Sequence, residues 1–304
     1  MLERKRGRVA TVIVTYNGQQ WIDRCVQSLL RSDYPTDIIV VDNCSTDRTA
    51  TILRHDYPAV ILIENRENRG FGQANNIGMC EAMRLNADYV FLMNQDAWVN
   101  PDTIGCLVEA AITHSDYGII SPVHFNGNGD ALDTGFAHYA SLKSPEQLSH
   151  CTDDLVEVSF VNAAFWLIPI EVVRKVGGFD PFFFYCGEDV NYTHRIHFHC
   201  YKVGFVPSAH AFHDRGTRLP DRAKQIRLNC LFHWCEAFNV NRNSFGAFCY
   251  GPLALCKRVL IALLKCEVSD FKLYGQELWR MVTSWKMVLA NRKFYTDKTN
   301  FWSK

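Results

Sequence analysis

The sequence predicts an α/β fold, a mostly parallel sheet flanked by helices, with a helical extension at its C-terminal end. Three observations carry that expectation. Apolar runs of strand length end abruptly in polar residues, at Thr15, Asp42 and Asn94. Amphipathic helical patterns fill the intervals between them, the alternation of a doubly wound sheet. Beyond residue 220 the apolar spacing is helical throughout.

Taken in order, Arg8–Thr15 is a nearly continuous β-branched run and reads as a central strand. After the Tyr16-Asn17-Gly18 turn, Trp21, Ile22, Cys25, Val26, Leu29 and Leu30 fall on one helical face, giving a helix to about Arg31. A strand over Asp37–Val41 runs into Asp42-Asn43-Cys44-Ser45-Thr46-Asp47, where Ser45 or Thr46 is expected to cap the next helix. Val60–Ile63 is a third strand. The Asn-, Arg- and Gly-rich segment 65–78 leads into a helix, its glycines permitting close backbone approach and Arg69 suiting a phosphate. It has neither dinucleotide-fingerprint nor P-loop spacing. Tyr89–Met93 is a buried strand ending in Asn94-Gln95-Asp96. Ligands bind beyond the carboxyl ends of such strands, and a carboxylate there suits a hard cation holding a diphosphate. An ordinary polar turn explains those three residues equally well. Residues 126–150 lack periodicity and read as a long loop or hairpin.

Composition sets bounds. The chain has 304 residues, is 48% hydrophobic and carries no net charge. Its twelve cysteines include no C-x-x-C pair, which points to small buried hydrophobes in a reducing compartment and not to a disulfide framework or zinc site. No apolar signal region precedes the first strand, so a cytoplasmic location is expected. Charge is uneven: residues 215–304 hold sixteen Lys/Arg against six Asp/Glu. Three tail helices are expected, from Asp221 to Val240, over 245–266 with a break at Gly251-Pro252, and over 269–292. The uncharged run Ser244–Cys256 reads as too short to span a bilayer. A basic helix bearing Trp279 and Trp285 suits a membrane surface, and equally packing on the domain or a homodimer contact. No nucleic-acid partner is expected.

Four ordered blocks, VIVTYNG (12–18), IVVDNCSTDRT (39–49), NRGFGQANNIG (68–78) and FLMNQDA (91–97), resemble the inverting, nucleotide-sugar-dependent glycosyltransferases of family 2, rhamnosyltransferase-like members most of all. Residues 161–195 and 203–215 extend the resemblance through Gly-Gly-Phe-Asp, Glu188-Asp189 and a late histidine. It implies a Rossmann-like GT-A fold over 1–220, with a nucleotide-binding half at 8–115, an acceptor half at 116–220 and an extension at 221–304. It further implies transfer of a sugar from dTDP-rhamnose or a UDP-sugar to a glycan or lipid-linked acceptor, at the inner face of the membrane. A non-catalytic nucleotide-binding or scaffold protein on the same fold is the alternative, suggested by Asn94 where D-x-D enzymes have a carboxylate.

The resemblance also assigns roles. Asp189 is the implied general base, with Glu188 orienting it or the acceptor. Thr15, Tyr16, Asn17, Asp42, Asn43, Arg69, Gly70, Asn75 and Gln95 are implied at the nucleotide. Asn162, Trp166 and Glu188 are implied at the acceptor, and Asp96 with His213 at Mg2+ or Mn2+, His210 being a rival. From the residues alone, Asp42 serves as well in a turn, and Glu188-Asp189 reads as an acidic first helical turn, where the macrodipole favours the ionised form. Arg195 suits either phosphates or a carboxylate.

Overall fold

A computed structural model describes residues 7–215 and 222–296. The elements run β1 (Val9–Thr15), α1 (Ile22–Leu30), β2 (Thr36–Asp42), α2 (Thr49–Asp56), β3 (Ile61–Glu64), α3 (Phe71–Arg84), β4 (Tyr89–Asn94), β5 (Ala97–Val99), α4 (Thr103–Thr113) and β6 (Tyr117–Asn126). They continue through α5 (Thr134–Tyr139), β7 (Val156–Val158), β8 (Phe165–Pro169), α6 (Ile170–Val176), α7 (Glu188–Phe198) and β9 (Lys202–His213). One sheet takes the order β3-β2-β1-β4-β8-β6-β9-β5, with β7 also paired to β9. β3, β2, β1 and β4 are mutually parallel, whereas β8 runs antiparallel to β4 and β6.

Period-two alternation divides β1 between two cores. Val9 and Ile13 pack with α1 and α4 on one face. Ala10 and Val12 pack with α3, α6 and α7 on the other. Register then brings the strand ends level, pairing Thr15 with Asp42 and Val14 with Asn94. The three polar strand ends read from the sequence therefore form one carboxyl edge.

Several expectations are corrected. The helix after β2 starts at Thr49, and neither Ser45 nor Thr46 caps it; Asp47 accepts from the Thr49 amide (2.9 Å) instead. Ser45 is engaged by Asp42, which leaves it unable to start the helix. Residues 126–150 are not a plain loop. Asp133 caps α5 by accepting from Phe136 N (3.0 Å), and Pro145–His150 forms a 3-10 turn.

The tail comprises α8 (Arg222–Phe238), α9 (Ser244–Phe248), α10 (Ala254–Leu264), α11 (Val268–Thr283) and α12 (Trp285–Thr296). The expected boundary at 220/221, and the expected helix start at Asp221, lie outside the described residues. Gly251-Pro252 does not break its helix. A π-helical turn at Cys249–Leu253 accommodates the missing proline donor, and Ser244–Leu264 runs on as one stretch. At 21 residues, with a mean hydropathy of 1.6 over its most apolar 18, that stretch is by length and composition long and apolar enough to cross a bilayer, which its uncharged part alone is not. The expected last helix is two, divided at Ser284. α8, α10, α11 and α12 enclose a third core, which also contains Phe183 from the segment before α7.

Candidate active site

At the carboxyl edge, polar side chains are tied to one another. Asp42 is buried; its Oδ1 accepts from Thr15 Oγ1 (2.9 Å) and Ser45 Oγ (2.6 Å), its Oδ2 from Ser45 N (3.0 Å). Asn17, at φ 50°, accepts from the Thr46 amide (2.8 Å), joining the β1 loop to the β2 loop. Asn43 donates to Asn68 Oδ1 (2.8 Å) and accepts from Asn65 Nδ2 and Arg69 N, both at 3.0 Å. Gln95 clasps the Tyr16 backbone from both sides, accepting from its N–H (2.9 Å) and donating to its carbonyl (3.2 Å). The Tyr16 ring is left exposed. A Cβ on Gly18 would collide with Gln95 Oε1, and Gly70, at φ +78°, passes so close to the Phe184 carbonyl that no side chain fits. Arg69 is half-exposed beside this loop. Asn75 is buried in α3, donating to Phe71 O (3.0 Å), and lies off the cleft described next.

That cleft, about 440 Å3, adjoins the edge and is lined by Asn94, Asp96, Asn162, Glu188, Asp189 and His213, with Phe71, Tyr139, Tyr185 and Arg215 around them. Sheet register explains the first meeting: β5 pairs with β9 so that Ala97 faces His213, which puts Asp96 Oδ1 3.3 Å from His213 Nε2. The Asn94 amide lies 3.3 Å from the same nitrogen, and its Oδ1 is buried without a partner. Arg215 Nε donates to His213 Nδ1 (3.2 Å) and stands 3.3 Å from buried Asp133. His210 lies elsewhere, against Phe125 and the Pro207 carbonyl, so the two rival histidines are distinguished.

Whether this corner fits a divalent cation can be judged from its donors. Asp96 and the orphaned Asn94 Oδ1 are hard oxygen donors next to an imidazole. Among the described residues no three His, Cys, Asp or Glu side chains converge as a closed metal cage. A sparse shell of this kind fits a Mg2+-like ion that completes its coordination with substrate phosphates and water.

Across the cleft, Gly187 at φ 88° turns the chain into α7, whose first residues are Glu188 and Asp189. Glu188 is buried with Oε2 unpaired. Burial, then the neighbouring Asp189, pushes its pKa upward. Burial also raises Asp189, opposed by hydrogen bonds from Val190 N (2.8 Å) and its own amide and by the Arg215 charge. The helix terminus was expected to favour ionisation; desolvation outweighs it, and the pair is more basic than ordinary carboxylates. Asn162 lies at the same wall with its Oδ1 buried and unpaired.

Two sequence expectations find no place here. Trp166 is wholly buried, donating to the Val161 carbonyl (3.1 Å) and stacking on Phe179 (5.9 Å), so it is core and not an acceptor contact. Arg195 lies off the cleft, and of its two readings the carboxylate is the one present, in the charge of buried Asp180. Its guanidinium is fully buried and donates to the Val176 (3.0 Å) and Gly178 (2.6 Å) carbonyls, and burial lowers its pKa to about 10. Conversely, Arg215 and Tyr139 line the cleft without having been singled out, whereas Tyr185, the end of an aromatic run that reads as an acceptor wall or as core, does line it. Arg215 follows the late histidine by two residues, a proximity that was the available signal.

Comparison with known proteins defines the class. Solved structures show the fold: a Staphylococcus aureus TarS fragment in complex with UDP-GlcNAc (TM-score 0.58, 14% identity, covering 93% of this chain and 83% of that one), and a Pyrobaculum calidifontis mannosyltransferase in complex with GDP-Man and Mn2+ (TM-score 0.57, 19% identity, 99% and 89%). The fold is GT-A. Residues 11–173 match glycosyl transferase family 2, and the chain belongs to that family of glycosyltransferases. A curated relative, the N-acetylglucosaminyl-diphospho-decaprenol L-rhamnosyltransferase of Mycobacterium tuberculosis, is 26% identical over 231 residues, 67% of this chain and 75% of that protein. The poly(ribitol-phosphate) beta-N-acetylglucosaminyltransferase TarS of S. aureus is 27% identical over 132 residues, 40% of this chain and 22% of that protein.

Proposed function

We propose that this nucleotide-sugar-dependent enzyme transfers a sugar, with inversion, from dTDP-rhamnose or a UDP-sugar to a hydroxyl of a glycan or lipid-linked acceptor. The observation that carries the reading is the placement of Asp96 and His213 on one wall of a cleft whose other wall holds Glu188 and Asp189. The likeness to a decaprenol-linked rhamnosyltransferase supports the donor and acceptor classes.

In this mechanism Thr15, Tyr16, Asn17, Asp42 and Asn43 form the nucleotide cradle, the exposed Tyr16 ring offering a face to the base. Gln95 holds that ring in place through its backbone, and Gly70 keeps the Arg69 loop close. Asp189 takes the proton of the acceptor hydroxyl as its oxygen bonds to the anomeric carbon. The bond from that carbon to the diphosphate oxygen breaks, and the diphosphate departs with the electron pair. Asp96, Asn94 and His213 are the residues that would hold Mg2+ or Mn2+, which when bound neutralises charge on the diphosphate. Arg215 adds a fixed positive charge at the same wall. Asn162 and Glu188 orient the acceptor.

The division into a nucleotide-binding half (8–115), an acceptor half (116–220) and a tail (221–304) belongs to this proposal, as does contact of the tail with a membrane surface. Phe245, Phe248, Leu264 and Trp279 are exposed on its helices, as are Lys257 and Arg258, apolar and basic side chains of the kinds that suit lipid.

A thermal-shift panel of dTDP, UDP, GDP and ADP, each with Mg2+, Mn2+ or EDTA, tests the donor site, because ligands of the native state raise its melting temperature. Stabilisation by a pyrimidine diphosphate that is lost in EDTA is the expected result. Equal melting temperatures throughout would overturn it.

A further inference from the structure

The turn that carries Glu188 and Asp189 is supported on its far side by the tail. Gly187 O accepts the first hydrogen bond of α7, from Asn191 N (2.9 Å), and a second from Cys235 Sγ on α8 (3.4 Å). A Cβ on Gly187 would stand 3.0 Å from that sulfur and 3.0 Å from the Phe183 ring. Phe183 is itself part of the tail core, packed on Phe238 at 5.5 Å, while Phe182 packs on Trp234 at 4.7 Å. Further along α7, Asn241 donates to the His194 carbonyl (2.7 Å). Cys235 and Phe238 are both buried.

Aromatic packing alone holds the segment down but tolerates sliding, since ring contacts are broad in geometry. The sulfur is more selective. It sits on the carbonyl that opens α7 and in contact distance of a glycine that has no room for a side chain, so it defines how far the first turn of the helix projects into the cleft. We propose that the tail is part of the catalytic apparatus, with Cys235 a positioning residue that sets the reach of Asp189. The inference rests on the assignment of Asp189 as base made above.

The test uses the full-length chain with Cys235→Ala, which removes the donor, and Cys235→Ser, which keeps one. Displacing a reacting group by an ångström can cost up to about a hundredfold in rate. The expected result for Cys235→Ala is a fall in kcat of about tenfold at saturating donor, with nucleotide affinity within about twofold of wild type. Cys235→Ser is expected to recover most of the rate. Should Cys235→Ala fail to fold, Cys235→Val against Cys235→Ser makes the same comparison. Wild-type kcat in Cys235→Ala, or equal losses in Ala and Ser, overturns the positioning role, since packing alone then accounts for the residue. Wild-type turnover in Asp189→Asn instead overturns the base assignment beneath it, so the two failures are distinct.

Discussion

The carboxyl edge of the sheet and the cleft that adjoins it are built on opposite plans. At the edge the polar side chains are spent on one another: Asp42 accepts three hydrogen bonds, Asn43 joins β2 to the 65–70 loop, and Gln95 grips the Tyr16 backbone. In the cleft, carboxyl and amide oxygens are instead buried unpaired: Glu188 Oε2, Asn162 Oδ1 and Asn94 Oδ1. Buried polar atoms without partners are rare and cost about 1–3 kcal/mol each. The contrast teaches that the edge is preformed, held by its own network, whereas the cleft keeps unpaired and therefore destabilising polar groups.

The largest effect should come from the cleft. Asp189→Asn, which keeps shape and removes the basic oxygen, is expected to lower the transfer rate by about 10²–10⁴-fold while nucleotide binding stays near wild type. Steady-state kinetics with a nucleotide titration checks it, and undiminished turnover would break the comparison. Next, Asp96→Ala should reduce nucleotide affinity in Mg2+ to the level measured in EDTA. If the Mg2+-dependent increment survives in a titration, the cation corner is misassigned.

The cradle should respond through stability. Asn43→Ala strands the partners of a buried knot and is expected to cost about 1–3 kcal/mol, read from denaturant unfolding, with a parallel loss of nucleotide affinity. The smallest effect should have the opposite sign. Because the folded protein raises the Glu188 pKa, it holds a proton that the unfolded chain has released, and the linkage makes stability fall as pH rises above the ordinary carboxylate range until the folded pKa is passed. Glu188→Gln removes that slope. Its melting temperature should match wild type in acid and exceed it by about 2–4 °C on the alkaline side, while transfer slows. Melting curves from pH 4 to 9 that stay parallel for the two proteins would show that Glu188 is not strained by its burial.

Much of this was legible in the sequence because it is local. Apolar runs of strand length ending at Thr15, Asp42 and Asn94 report both the strand and the place where it emerges, and parallel register needs only to level those ends. Asp96 stood out for the same reason, as a carboxylate just past a strand's end, whereas Glu188 and Asp189 read from pattern alone only as an acidic first helical turn and took their role from the family resemblance. Residues inside a helix or strand were harder. Asn75, Trp166 and Arg195 stand within recognisable blocks, yet each is buried, Trp166 against Phe179 and Arg195 on the Val176 and Gly178 carbonyls. Pattern gives the periodicity of a face without saying what lies opposite it.

The sequence by itself thus determined the alternating architecture, the polar strand ends and the acidic start of α7, since these follow from local hydrophobicity and propensity. Tertiary structure alone decided the rest. The β5–β9 pairing put His213 on Asp96 and left His210 outside. Desolvation outweighed the helix terminus and raised the pKa of both Glu188 and Asp189. A tail whose pattern suits a membrane surface, packing on the domain or a homodimer contact equally well supplied Cys235 and Phe238 behind the turn that bears Asp189. Those outcomes depend on which surfaces meet and how much water their meeting removes, and neither is a property of any segment on its own.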